Sequence, residues 1–594
     1  MKELYTIATF NVGQLVEKIS TGELGLPALQ RPFIWKNTKV RDLFDSLLKG
    51  FPIGYLMLWD CPDLEDNHSI ALNGKSYASP KEVIIDGQQR LTSLFAVIKG
   101  QPVVNDKFEK VQIKIAYNPV LDKFEVWTKA ISNDPEWIPN ISEIFTTDNM
   151  FAFTNSYIMR LQKSMESKNE SFSSELANKV YERINSITNI KNRPFPVFNI
   201  FSDVDEEVVS EIFVRVNSGG VTLKQNDFIL TLMSIYWSQG RDLIESFCKN
   251  SQSPVYKTST AYNPVTVVTP QDIIRVVLAF GFNRGRLKYG YKLLRGADFE
   301  NKGVINEVLK TERFDNLKET LPLVLDLTNW HEFVKSIMNA GYLNSEMILS
   351  KNALFYTYAF YLIGKHRYKL SNLENQNLCS LWFFYAILSS MYTGSFESTV
   401  EGQLNRIKQI SSIEEYKKFF LDRISEEWTD DFFSITLPGV NGLAVSGRGN
   451  NAWFAYVASL NLLGTPVLFT KSNLHVSALF QAGIDGKKKS LEKHHLFPKA
   501  YLKSLGYSDS MINQMANYAL IDWNQNISIL DTAPADYYPI ICNGMSEKAI
   551  RKMEDENALP HGWEHMSYPD FLQERRKLMA LRIKEAYYKL LDNC

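Results

Sequence analysis

The sequence predicts an α+β multidomain protein, and three changes of pattern along the chain carry that prediction. Up to about residue 230, short β-like runs alternate with helical stretches and turn clusters. From there to about 435, apolar residues recur at helical spacing and strand signals are few. A passage rich in glycine and proline then opens a last region that is rich in histidine, asparagine and lysine. The resulting division is 1–230, 231–435 and 436–594, within the about two to four domains that 594 residues, 45% of them hydrophobic, can fill.

In the first region the β-like runs are Val83-Ile84-Ile85 and Gln112 to Tyr117. Polar residues gather where strand signals give way to helical ones: Gln30-Arg31-Pro32-Phe33-Ile34-Trp35, then Pro52-Ile53-Gly54, then Asp86-Gly87-Gln88-Gln89-Arg90. Asp86-Gly87 after an apolar run is a turn signal, glycine allows close backbone approach, and the N-terminus of the helix that follows favours anions such as phosphates. Arg31 and Arg90 can add charge-assisted bonds to such an anion, or can serve in structural salt bridges around a capped turn. A further cluster, Phe213 to Leu223, combines Arg215, Asn217 and the pair Gly219-Gly220. A P-loop is excluded, because Gly74-Lys75-Ser76 has Ser69 where the first glycine of that motif belongs.

The middle region shows helical spacing in Ile273–Ala279, Leu354–Leu362 and Leu381–Leu388. The most apolar run, Leu378 to Tyr392, contains Ser380, Ser389 and Ser390 and falls short of the about 20 residues a bilayer span needs, so it reads as a buried helix with no membrane role. Pro438 and Gly439, Gly442, Gly447 and Gly449 mark the passage to the last region. The formal net charge is −1, so a polyanion would have to be held by local patches rather than by bulk attraction. Five scattered cysteines, Cys61, Cys248, Cys379, Cys542 and Cys594, give neither a disulfide framework nor a cysteine zinc site, and with no secretory signal the expected compartment is the cytoplasm.

The last region holds Glu492-Lys493-His494-His495-Leu496-Phe497-Pro498, then Asn517 to Ile521, then Asn524 and Asn526. A metal-dependent phosphodiesterase needs a base for water, a divalent cation for the phosphate charge and a rigid turn to hold both. A His-His pair with a central and a later asparagine can supply all three, and strand signals on both sides predict a hairpin that brings them together. Lys487, Lys488, Lys489, Lys493, Lys499 and Lys503 surround the histidines, either to position phosphates or as a solvated face. Arg575, Arg576, Lys577, Arg582 and Lys584 are expected on the exposed face of a C-terminal amphipathic helix. His561 and His565 have metal-like spacing, but Pro560 and Gly562 argue against the helix that it requires.

These residues resemble the HNH, or ββα-metal, nucleases. The resemblance implies that His495 is the general base, His494 a metal ligand, Asn517 the brace of the loop carrying the base and Asn526 the third-position metal ligand, with Asn524 and Glu492 as further candidates. The N-terminal clusters, with Asp86 to Arg90, are similar to the ParB-like DGQQR domain of the GmrSD-type, modification-dependent (type IV) restriction proteins. That resemblance implies a ParB/sulfiredoxin-like fold binding or hydrolysing a nucleoside triphosphate on Gln30, Arg31, Asp86, Gly87, Gln88, Gln89, Arg90 and Asn217, coupled to a nuclease domain. The implied activity is cleavage of modified phage DNA with Mg²⁺ or Mn²⁺. Two rivals stand beside it: a nucleotide-gated DNA-binding protein whose HNH domain is inactive, and a toxin-like nuclease without modification dependence. A homo-oligomer is compatible with either.

Overall fold

The computed structural model describes residues 3–25, 33–60, 69–70, 76–77, 82–105, 109–204, 208–209, 212, 229–230, 233, 237–299, 304–446, 450–470, 474–480, 491–522 and 531–594. The chain separates into two compact units, Met1–Arg241 and Asp242–Cys594. Among the described residues no helix is long and apolar enough to cross a membrane.

Unit 1 is built on a mixed five-stranded sheet. Its strands are β1 (Tyr5–Asn11), β2 (Leu24–Gly25), β3 (Leu56–Asp60), β4 (Glu82–Asp86) and β5 (Pro194–Ile200), in the order β1-β5-β3-β4-β2. The β5–β3 and β2–β4 pairs are parallel, whereas β1–β5 and β3–β4 are antiparallel. Helix α1 (Val12–Thr21) starts at an Asn11–Gln14 capping box and ends at Gly22 in the left-handed region, so its polar termini are satisfied while Val12, Leu15, Val16 and Ile19 turn inward. Helices α2 (Asn37–Lys49) and α3 (Gln88–Lys99) bury Val40, Phe44, Leu91 and Leu94 in the same core. Strand β4 contains the expected Val83-Ile84-Ile85 run. The run at Gln112–Tyr117 enters its hairpin only at Ile115, pairing Ile115–Asn118 with Lys123–Val126.

Unit 2 is dominated by helices: α4 (Pro270–Phe282), α5 (Leu287–Leu294), α6 (Glu307–Leu325), α7 (Leu327–Asn339), α8 (Lys351–His366), α9 (Asn372–Leu388) and α10 (Phe396–Ile407), then α11 (Asn451–Leu462) and α12 (Tyr568–Leu591). Helices α8 and α9 are buried almost all round, from Ala353 to Gly364 and from Leu378 to Ile387, as core helices must be when apolar residues cover their whole circumference. The apolar run from Leu378 is therefore an interior helix that stops at Leu388, four residues before Tyr392, where Ser390 turns the backbone at φ 51°. Helix α9 packs against both α11 and α12, which places the helical middle and the C-terminal region in one unit.

Candidate functional site

The two histidines close strand β6 (Leu491–His495), which pairs antiparallel with β7 (Tyr518–Asp522), so that His494 lies opposite Ala519 and His495 opposite Tyr518. The hairpin expected from the sequence is thus formed. Asn517, directly before β7, is wholly buried. Its Oδ1 accepts the Phe497 N–H at 2.9 Å, its Nδ2 donates to the carbonyls of Phe497 and Ile512 at 3.1 and 3.0 Å, and its backbone carbonyl accepts the Leu496 N–H at 2.9 Å. One amide therefore holds the loop that leaves the histidines, and a buried amide so satisfied is costly to remove. The Tyr537 hydroxyl secures the same loop from another side, donating to the Leu496 carbonyl at 2.7 Å.

His494 is buried, with its ring 6.4 Å from that of Tyr537 in an edge-to-face arrangement. His495 is half-buried; its ring lies 4.6 Å from Tyr518, and its Nε2 is 3.1 Å from Oδ1 of Asn513. The Tyr518 hydroxyl donates to the same Oδ1 at 3.1 Å. An oxygen that accepts from both makes Nε2 of His495 the protonated ring nitrogen and leaves the basic lone pair on Nδ1. Asn513 was not among the residues singled out from the sequence, because nothing in local periodicity ties it to a histidine 18 positions away.

Arg575 departs from expectation. It is 1% exposed, and its Nη1 donates to the Ala516 carbonyl at 2.7 Å, immediately before Asn517. Burial depresses the proton affinity of its guanidinium. Its position could have been read from the sequence, since it shares the apolar stripe of Phe571, Leu572, Met579 and Ile583 along α12. Arg576 is half-buried, whereas Lys577 and Lys584 form ion pairs with Glu574 and Asp430. Lys499 and Lys503 both approach Asp509, at 3.2 and 3.6 Å, and lower its carboxyl pKa through hydrogen bonding and charge. His561 pairs with the buried Glu554 at 2.6 Å, and Gly562, in the left-handed region, separates it from His565. Among the described residues no group of three or more His, Cys, Asp or Glu gathers in the manner of a metal cage. Asn524, Asn526 and Lys487 to Lys489 lie outside the described residues, and of Glu492 and Lys493 only the backbone is described.

In unit 1 the three motifs come together around the start of α3. Gly87 caps this helix at φ 90° with no side-chain cap bond. Gln89 Oε1 accepts the N–H groups of Ile34 and Trp35 at 3.1 and 3.4 Å, and Phe33 donates its N–H to the Val104 carbonyl at 2.9 Å. Arg90 donates from Nη1 to the Ile53 carbonyl at 2.8 Å and from Nη2 to Asp86 at 3.2 Å, with its guanidinium 6.0 Å from the Tyr55 ring centre. Gly54 has φ +90°, and a Cβ there would run into that guanidinium. Gln89 and Arg90 thus tie the Phe33–Trp35 and Ile53–Gly54 segments to the strand–helix turn. Gln88 is half-buried, on the first turn of α3. Gln30, Arg31, Asn217 and the rest of Phe213 to Leu223 lie outside the described residues.

Residues 12–234 match the N-terminal domain of GmrSD restriction endonucleases. An uncharacterized protein of Methanocaldococcus jannaschii is 22% identical over 573 residues, a match covering 92% of this chain and 90% of that protein. The matched domain contains all three motifs that meet at α3, so the likeness to GmrSD restriction endonucleases covers the N-terminal region of the chain.

Proposed function

We propose that the protein is a nucleotide-regulated, divalent-metal-dependent DNA endonuclease of anti-phage defence, cutting modified phage DNA at the β6–β7 hairpin. The observation that carries this reading is the buried Asn517, whose amide holds the loop beside His494 and His495 at 2.9–3.1 Å. His495, held through Nε2, takes the proton of the attacking water on Nδ1. His494 and Asn526 would hold Mg²⁺ or Mn²⁺: an imidazole on a fixed, buried ring and an amide oxygen are N and O donors that such ions accept beside phosphate oxygens and water. When bound, the ion would supply charge neutralisation at the phosphate and the leaving oxygen.

The N-terminal domain binds and hydrolyses a nucleoside triphosphate and couples it to cutting, with Gln30, Arg31, Asp86, Gly87, Gln88 and Asn217 nearest the ligand and Gln89 and Arg90 holding the loops around it. The entry to α3 supports this reading, because Gly87 puts no side chain over the first turn and a helix N-terminus favours phosphate oxygens. Modification dependence is proposed from the likeness of residues 12–234 to the N-terminal domain of GmrSD restriction endonucleases.

The test is cleavage of hydroxymethylated or glucosylated DNA beside unmodified DNA, with Mg²⁺ or Mn²⁺ and with or without nucleoside triphosphates, by wild-type and His495→Ala protein. The expected result is selective cutting of modified DNA that falls by roughly 10²- to 10⁴-fold in the variant, the usual worth of a general base. Binding without cutting under every condition would overturn it in favour of a nucleotide-gated binding protein.

A further inference from the structure

We propose that a cleft in unit 2, between the C-terminal ends of α7, α11 and α12 and the first half of α9, binds a small phosphorylated molecule that carries several N–H or O–H donors. The cleft has a volume of about 340 Å³, inside the range of about 300–1,000 Å³ that small-ligand sites occupy. The described residues that line it all belong to unit 2, and neither His494 nor His495 is among them. A ligand there is therefore independent of both the motifs around α3 and the nuclease reading.

The walls are fixed by amides. Asn461 donates from Nδ2 to the Gly341 carbonyl at 2.8 Å, Asn377 to the Asn593 carbonyl at 2.6 Å, and Asn593 to the Lys589 carbonyl at 2.9 Å. A carbonyl can only accept, so each contact commits the NH₂ of its amide to the protein and turns the acceptor Oδ1 away from that partner. At Asn461 this Oδ1 is buried and, among the described residues, accepts no hydrogen bond. A buried acceptor without a donor is destabilising, and an N–H or O–H of a ligand would relieve it. Gly341 closes the wall beside it: φ is +86°, and a Cβ there would run into the Ala458 carbonyl, so the loop leaving α7 lies directly against α11.

Charge narrows the ligand class. Among the described residues Lys589 is the one charged side chain on the lining, and it is exposed. The Leu462 carbonyl takes one of its three N–H donors, at 2.7 Å, which caps the end of α11 and leaves the others for a ligand. With no carboxylate on the described lining, a cationic ligand gains no partner ion, whereas an anionic one gains Lys589. No arginine is there to offer the two-pronged geometry that matches carboxylates, and a lone ammonium acts as a point charge, which suits a phosphate. Met338, Leu343 and Leu590 give the carbon skeleton an apolar wall. A nucleoside monophosphate and a sugar phosphate both combine one phosphate with several N–H or O–H donors.

The test is titration calorimetry of the full-length protein without divalent metal, with AMP and CMP in one arm and glucose 6-phosphate and ribose 5-phosphate in the other. Lys589→Gln keeps a donor for the Leu462 carbonyl but removes the charge, and Ser477→Phe puts a ring into the cleft from the segment after α11. The expected result is saturable binding by the wild-type protein in one arm, weakened roughly tenfold or more in both variants, the worth of one charge-assisted bond. The arm that binds decides between a nucleotide and a sugar phosphate. Equal melting temperatures without ligand would confirm that both variants fold. Neither substitution touches unit 1, so a nucleotide held only there would bind both variants as it binds the wild type. That outcome, or binding in neither arm, would overturn the inference and leave the nuclease reading in place.

Discussion

In unit 2 the side chain that holds the loop, Asn517, is a different residue from the histidines proposed to act. In unit 1 two residues of the DGQQR signature, Gln89 and Arg90, hold the protein's own backbone at Ile34, Trp35 and Ile53, and Arg90 also pairs with Asp86. The two regions therefore use polar motifs in opposite ways. At the hairpin, support and the proposed chemistry are divided between residues of different motifs, whereas around α3 the division runs through one signature, with Gln89 and Arg90 as support and Asp86, Gly87 and Gln88 proposed to face the nucleotide. A motif can thus mark a site without each of its members touching the ligand.

Substitutions at the supporting residues can break or sharpen this contrast. Asn517→Ala has the largest expected effect, because it strips the partners of the Phe497 N–H and carbonyl in the interior, while the Ile512 carbonyl keeps the Tyr568 hydroxyl; at 1–3 kcal/mol for each unsatisfied group, a loss of roughly 2 kcal/mol or more is expected. Calorimetry of the full chain should show it as a lowered melting transition together with lost cleavage. Normal stability with cleavage alone lost would make Asn517 a participant in the chemistry and erase the division of roles.

Arg90→Ala comes next. It removes a charged donor from the Ile53 carbonyl and the partner of Asp86, at a cost of about 2 kcal/mol. Nucleotide binding, read by titration calorimetry, should weaken together with stability, and nucleotide-free cleavage should persist. Weakened binding at unchanged stability would instead put Arg90 on the ligand. The smallest effect belongs to Gln89→Ala, about 1 kcal/mol for its bonds to Ile34 and Trp35, with faster amide hydrogen exchange at those two positions as its signature. Unchanged exchange there would show that the segment is held by Phe33 alone.

The parts of this architecture that could be read in advance are those encoded locally. The strand at Val83–Ile85, the turn at Gly87, the interior helix beginning before Leu378 and the pairing of the histidine strand with Tyr518–Asp522 all follow from short-range apolar patterning and turn chemistry. The partners of the site side chains are mostly remote. Asn513 reaches His495 across 18 residues, Tyr537 reaches Leu496 across 41, and Arg90 reaches Ile53 across 37, and no sequence period reports such distances. Arg575 is the instructive exception: its place on an apolar helical stripe foretold burial, but its charge suggested the surface.

The Arg575 contact also has a bearing on when the hairpin becomes complete. The guanidinium that supports Ala516 is contributed from 59 residues further along the chain. At the about 5–20 residues per second of protein synthesis, that interval is about 3–12 s. A growing chain therefore carries both histidines for several seconds before it acquires the helix that steadies the loop beside them, and on the nuclease reading cutting ability would lag behind the appearance of the residues that do the cutting.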